Sequence, residues 1–227
     1  MKSPTPECKS ECKSECKFIK KAHAAIICGA TDCGKTEFTL NLLETEYKQF
    51  FKYIVIICPT WRNNKTYLKR KWLFNDPDHV FLVDPKEFCS KSKDPLNDTL
   101  KAFFEIIGKV DESQVLFLVD DCSAEKGMKK KQQMLSELAF SGRHLNCSLW
   151  ILTQKYNSVL TDVREQIKWL ALFYCKDRDS FEEALRENDV VPSLEERREM
   201  RQLLSLYKHS KLILITEQPT SYHFLKP

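Results

Sequence analysis

The sequence predicts an α/β fold: a mostly parallel central sheet flanked by helices, closed by a C-terminal β-hairpin. Three observations predict it. From residue 24 onward, short apolar runs alternate with stretches of helical length, the order produced by a sheet covered by helices on both faces. The first apolar run, "AAIIC" (Ala24–Cys28), passes directly into a Gly-containing loop and then a helical pattern. The tail, "KLILITEQPTSYHFLK", instead reads as two short strands, Lys211–Thr216 and Ser221–Leu225, around a Glu-Gln-Pro-Thr turn.

The first unit is the most informative. "AAIIC" suits a strand buried on both faces. After it, Gly29, Gly34, Lys35 and Thr36 fit G-x-x-x-x-G-K-[ST], the phosphate-binding loop. Glycine lets the backbone turn tightly, so that successive N–H groups converge on phosphate oxygens. Gly29, Ala30, Thr31, Asp32, Cys33, Gly34, Lys35 and Thr36 are therefore expected to hold the phosphates of a nucleotide, ATP in the reading developed below. Lys35 would reach the β/γ-phosphates, and the Thr36 hydroxyl would ligate Mg²⁺. Phe38, Leu40, Leu42 and Leu43 recur at helical spacing, which predicts a helix over 36–49 whose positive N-terminal end lies under the phosphates.

Strands follow at 53–58 and 79–83 with a helix at 64–73 between them. Segment 85–97, polar and holding two prolines, reads as a surface loop or insertion, and 96–109 as a helix. "VLFLVDDC" (Val115–Cys122) is a central strand with two aspartates at its carboxyl end, where open α/β sheets bind their ligands. Asp120 is placed to hold Mg²⁺. Asp121 is placed to orient and deprotonate an attacking water. A helix at 127–141 leads to Arg143 and His144 on a turn, then to the strand 148–153. Gln154 stands at that strand's end, where it can touch a γ-phosphate or the water. Arg143 has the chemistry of a finger reaching a neighbouring subunit's nucleotide, whereas His144 reads as a capping or packing residue. A helix at 158–167, a strand at 169–174 and helices at 178–187 and 194–208 complete the pattern.

The 227 residues suffice for one sizeable α/β domain, 23–227, preceded by a Cys/Lys-rich arm, 1–22, expected to be disordered. In that arm Cys8, Cys12 and Cys16 recur every four residues, a spacing that matches no familiar zinc or iron–sulfur pattern and would need a fourth ligand such as His23. Ten cysteines without a secretory signal imply reduced thiols. Cys28, Cys58, Cys122, Cys147 and Cys175 fall in or beside predicted buried strands, where a thiol behaves as a small hydrophobe. No apolar run is long enough to cross a membrane, and the expectation is an intracellular, soluble protein. The net charge of +4 does not by itself indicate nucleic acid, but Lys126, Lys129, Lys130 and Lys131 form a basic cluster after the aspartate pair.

A strand at 53–58 lies in the chain between the two motif strands. That pattern marks the additional-strand, catalytic-carboxylate division of phosphate-loop ATPases. An N-K-x-D base-reading motif is missing, unlike in translation-factor GTPases. "EERREMRQ" (Glu195–Gln202) reads as a charged helix face rather than a nucleotide-kinase lid. In this order and compactness, "GATDCGKT", "VLFLVDD", "GRH" and "LWILTQ" resemble the genome-packaging ATPases of large DNA viruses, virophages and Polinton-type elements, pox-type included, within the FtsK/HerA superfamily. The resemblance spans roughly 22–175. It implies a RecA-like core, a homo-oligomeric ring and ATP-driven translocation of double-stranded DNA, with capsid or portal proteins as further partners. It also implies phosphate and Mg²⁺ binding by Lys35 and Thr36, Mg²⁺ binding by Asp120, sensing by Gln154 and a trans finger at Arg143, with Arg164 the second choice. The family usually carries glutamate after the Mg²⁺-binding aspartate; this chain has Asp121. A nucleotide-controlled switch with little turnover, and a small-molecule or nucleotide kinase, are the rival readings.

Overall fold

The computed structural model describes residues 17–108, 113–122 and 133–227. The Cys8–Cys12–Cys16 repeat and the lysine cluster Lys126, Lys129, Lys130 and Lys131 lie outside the described residues. Among the described residues the sheet has eight strands: β1 (Ala24–Cys28), β2 (Tyr53–Ile57), β3 (Val80–Val83), β4 (Val115–Asp120), β5 (Cys147–Thr153), β6 (Ile167–Phe173), β7 (Lys211–Ile215) and β8 (Ser221–Leu225). Their order across the sheet is β3-β2-β4-β5-β1-β6-β7-β8. The pairings among β1 to β6 are parallel, and β7 and β8 add as the expected antiparallel hairpin.

The central strands are apolar without interruption because both faces are covered. β1, β4 and β5 are buried at every position, as parallel strands under helices must be. Alternation sends Ile26, Val55, Phe117 and Leu149 to one core, against α5 (Pro95–Ile106), α6 (Gln133–Ser141), α8 (Arg178–Asn188) and α9 (Leu194–Leu206). Ile27, Ile56, Leu118 and Trp150 go to the other, against α1 (Lys35–Glu44), α2 (Lys65–Leu68) and α3 (Trp72–Asn75).

Chain order and sheet order differ at one informative place. The 53–58 strand, β2, does not lie between the two motif strands in space; it pairs on the far side of β4. The strand inserted between β1 and β4 is β5, hydrogen-bonded to both. Leu152 of β5 is level with Ile27 of β1 on one side and Asp120 of β4 on the other. The phosphate loop, Asp120 and Gln154 therefore emerge at one level of the same sheet edge.

Several helix bounds depart from expectation for local reasons. The 64–73 helix is two short ones, α2 and α3, because Arg70 between them is drawn onto α1 by Glu37, Asn41 and Glu44. Segment 85–97 is not all loop. Pro85 and Pro95 each open a helix, α4 (Pro85–Phe88) and α5, with Asp84 and Asp94 as side-chain caps. Proline at the first helical position needs no N–H partner and is preset to helical φ. α7 is confined to Thr161–Gln166 because β6 begins at Ile167.

His23 sits just before β1, 4% exposed. Its Nε2 accepts the indole N–H groups of Trp150 at 3.0 Å and Trp169 at 2.8 Å. An indole only donates, so the ring hydrogen is on Nδ1, which faces the Lys21 carbonyl at 2.6 Å. Both nitrogens are committed, so His23 is no ligand for the cysteine arm. Burial holds its pKa down to about 4.

Candidate functional site

The site forms where β1, β4 and β5 end. Leaving β1, the Gly29 N–H donates to the Thr153 carbonyl and the Ala30 N–H to the Tyr174 carbonyl, both at 3.1 Å. A Cβ on Gly29 would lie 2.5 Å from that of Phe173, so the loop can hug β6 only with glycine there. Gly34 closes the loop at φ 98°, a left-handed conformation that favours glycine. It is also the N-cap of α1, and no side chain caps the first turn. The free N–H groups and the positive end of α1 thus face the loop, an arrangement suited to an anion. The Lys35 ammonium donates to the carbonyls of Gly29 at 2.8 Å and Ala30 at 2.9 Å, so the charge already sits over the loop. Cys33 contributes a half-buried thiol whose pKa burial pushes up.

The Thr36 hydroxyl donates to Asp120 Oδ2 at 2.9 Å. The same oxygen accepts the Tyr67 hydroxyl at 2.7 Å. Asp120 is 4% exposed. Burial raises its carboxyl pKa, while the hydrogen bonds from Tyr67 and Thr36 pull it down. Burial likewise pushes the Tyr67 phenol well up, so it stays a donor. A carboxylate and a hydroxyl brought together beside a phosphate-binding loop are the hard oxygen donors that magnesium uses when it is shared with a nucleotide's phosphates. Thr36 and Asp120 fit that ion.

Asp121 is exposed and adopts φ 54°. Aspartate and asparagine tolerate this left-handed region better than glutamate, a physical reason for the shorter acid at this position. Thr31, Asp32, Lys35, Thr36, Asp120, Asp121 and Gln154 all line one open cavity of about 140 Å³. Thr60 and Asn64, from the segment after β2, complete it. Sequence reasoning did not single out Thr60, Asn64 or Tyr67. It also missed His209, whose Nδ1 lies 3.1 Å from the Cys33 carbonyl and beside Gly34.

The structure does not bring Arg143 to this cavity. It lies in a short 3₁₀ turn, Gly142–Leu145, at the amino end of β5, while Gln154 follows the carboxyl end. Arg143 and His144 are both exposed, and Arg143 makes no ion pair among the described residues. Arg164 is differently employed. It bridges Glu183 at 3.1 Å and Glu187 at 2.7 Å, donates to Thr161 and covers the Tyr156 ring. That internal network, 8% exposed at the arginine side chain, holds Nη1 and Nη2 against their own subunit, while Nε is buried without a hydrogen-bond partner among the described residues.

No curated protein matches the chain by sequence. Among solved structures, B204, the DNA-packaging ATPase from Sulfolobus Turreted Icosahedral Virus, aligns with TM-score 0.60 at 16% identity over 92% of this chain and 99% of that one. The genome packaging NTPase B204 from Sulfolobus turreted icosahedral virus 2, in complex with AMPPCP, aligns with TM-score 0.59 at 16% identity over 92% and 100%. The cytoplasmic domain of the Thermomonospora curvata Type VII secretion ATPase EccC aligns with TM-score 0.50 at 11% identity, over 89% of this chain and 25% of that one. At such identities the likeness is one of fold, that of phosphate-loop ATPases. The family model described as Poxvirus A32 protein matches residues 13–220, from within the arm to the turn of the closing hairpin. The chain belongs to the Poxvirus A32 protein family.

Proposed function

We propose that the chain is an ATP-driven motor that moves double-stranded DNA into a capsid, working as a homo-oligomeric ring. The observation that carries the ATPase reading is the Thr36–Asp120 contact: it joins the phosphate-loop helix to the end of β4, with Gln154 on the strand between. The packaging reading is supported by the family and by the fold shared with B204.

In this reading the loop amides and Lys35 bind the β/γ-phosphates of ATP. Thr36 and Asp120 hold Mg²⁺, which supplies charge neutralisation on the phosphate oxygens. Asp121 orients the water and takes its proton as the new O–P bond forms and the bond from the γ-phosphorus to the leaving ADP oxygen breaks. Gln154 contacts the γ-phosphate or the water and senses its departure. Arg143, far from its own subunit's loop, serves the next subunit's nucleotide. Lys126, Lys129, Lys130 and Lys131, which lie outside the described residues, contribute phosphate contacts to DNA. The rival is a nucleotide-controlled switch, favoured by the short reach of the exposed Asp121.

The deciding experiment measures ATP hydrolysis with and without long duplex DNA. Stimulation by duplex supports the motor. Tight ATP binding with no turnover in either condition supports the switch and sinks the motor. For the DNA contacts, replacing the four lysines with alanine should weaken duplex binding and flatten its salt dependence; unchanged affinity and slope would remove them from the interface.

A further inference from the structure

We propose that Tyr67 is a positioning residue for the magnesium-binding carboxylate: its buried hydroxyl, anchored through Arg70 to the phosphate-loop helix, holds Asp120 in the orientation that shares a cation with Thr36. The inference rests on the nucleotide-site reading above and deepens it.

Tyr67 is fully buried, and its hydroxyl donates to Asp120 Oδ2 at 2.7 Å, the same oxygen that Thr36 reaches at 2.9 Å. Two donors from two elements converge on one oxygen, so the carboxylate's rotation is fixed from both sides. Thr36 belongs to α1. Tyr67 belongs to α2, and its ring packs in the core shared with α1 and the sheet. The adjoining Arg70 adds a polar tie, its guanidinium engaging Glu37, Asn41 and Glu44. Those three residues are spaced to share one face of α1. Trp72 adds a donor to Glu44. At the other end of α2, Asn64 accepts from the Thr66 N–H at 3.0 Å and itself lines the cavity. The segment from Asn64 to Trp72 is therefore tied to the very helix that carries Lys35 and Thr36. From this segment the Tyr67 hydroxyl donates to Asp120.

A metal-binding side chain works when its own orientation is fixed by partners behind it, and loss of such a partner typically costs about 10–100-fold in metal affinity or activity. With Thr36 and Asp120 holding a cation between them, the Tyr67 hydroxyl would be the donor left to keep Asp120 in place. The arrangement also predicts where the effect will not appear. The Tyr67 hydroxyl donates to Asp120 rather than to the phosphate loop, so binding of nucleotide without metal should not depend on it.

The test is the metal-linked gain in nucleotide affinity, measured by calorimetry as the ratio of ATPγS dissociation constants in EDTA and in Mg²⁺. Tyr67→Phe keeps the buried ring and removes only the hydroxyl. The gain should fall about 10-fold or more, while the affinity in EDTA stays within about twofold of the parent. Mn²⁺ binding to the nucleotide complex, followed by electron paramagnetic resonance, should weaken by the same factor. An unchanged gain overturns the proposal. So does an equal loss in EDTA and in Mg²⁺, because Tyr67 would then be supporting the loop rather than the carboxylate. If Tyr67→Phe does not fold, Arg70→Gln at the partly exposed anchor should lower the gain in the same direction, and an unchanged gain there overturns the proposal equally. A parent chain that binds no ATPγS in either condition is a different failure: it removes the nucleotide site itself and this inference with it.

Discussion

Thr36 and Asp120 lie 84 positions apart in the chain, yet the hydroxyl of one donates to the carboxylate of the other at 2.9 Å. The contact exists because β5 spaces β1 from β4 by one strand and keeps their carboxyl ends level. It places a nearly dry carboxylate beside the positive end of α1. In the proposed reading a cation arriving with the phosphates would offset the buried charge of Asp120, which would couple metal binding to nucleotide binding at this corner of the sheet.

Lys35→Ala should weaken ATP binding by about 10–100-fold, the loss of a charge-assisted contact worth roughly 1.5–3 kcal/mol. The fold should survive, because the side chain replaced reaches loop carbonyls rather than either core. Calorimetry with ATP and a thermal melt check both halves. Wild-type affinity in the variant would sink the phosphate-loop assignment.

Asp121→Asn should bind ATP normally and lose hydrolysis by about 10²–10⁴-fold, the range of general-base contributions. Asparagine keeps the φ 54° backbone, so a loss would be chemical rather than conformational. Asp121→Glu should raise turnover by extending the carboxylate and lower Tm by straining the left-handed position. Wild-type turnover in Asp121→Asn would place the base elsewhere.

The parts of this molecule that the sequence discloses are those whose chemistry is local. Gly29–Thr36 is legible because phosphate binding needs glycine, lysine and threonine at fixed spacing. β4 is legible because a strand buried on both faces has no polar interruption until Asp120. Pro85 and Pro95 mislead because proline signals both a loop and a helix start; Asp84 and Asp94, the caps before them, were the better signal. Tyr67 and His23 are not legible at all. One depends on Arg70 reaching α1, the other on two tryptophans from strands β5 and β6 meeting at a single ring nitrogen. The left-handed backbone at Asp121 and the placement of β5 rather than β2 beside β1 are likewise products of packing, not of local pattern.

His23 makes stability acid-sensitive. Its folded pKa, about 4, lies below the 6.5 of an ordinary histidine because burial outweighs the opposing pull of the Lys21 carbonyl and Glu217. The unfolded chain takes up that proton first. The contribution is thus fully present above about pH 6.5 and lost as pH falls from about 6.5 to about 4, to a maximum of about 3 kcal/mol. Asp120 acts in the opposite sense, since its folded pKa is raised and its protonation relieves a buried charge. Denaturant unfolding across this range should show the decline, and His23→Gln, which can still accept from an indole but does not titrate, should flatten it. A slope unchanged in His23→Gln would assign the acid sensitivity to other groups.

Arg143 should act on a neighbour's nucleotide. It is exposed at the amino end of β5, whereas the cavity opens at the carboxyl end of that same seven-residue strand, a separation of about 23 Å at 3.3 Å per residue. No side chain spans that distance, so within one subunit Arg143 cannot stabilise the departing γ-phosphoryl group. Across a ring interface it can, and such an arginine is worth roughly 10³–10⁵ in rate. Specific activity should therefore rise with protein concentration as subunits assemble. Arg143→Ala should bind ATP with wild-type affinity and be inactive. Mixing Arg143→Ala with Lys35→Ala should restore part of the activity, because some interfaces then pair an intact loop from one variant with an intact arginine from the other. Arg164, the second choice, is held by Glu183 and Glu187 in its own subunit, and the same mixing test applied to Arg164→Ala separates the two. Co-assembled mixtures of the two inactive variants that stay inactive at every ratio would rule out Arg143 in trans.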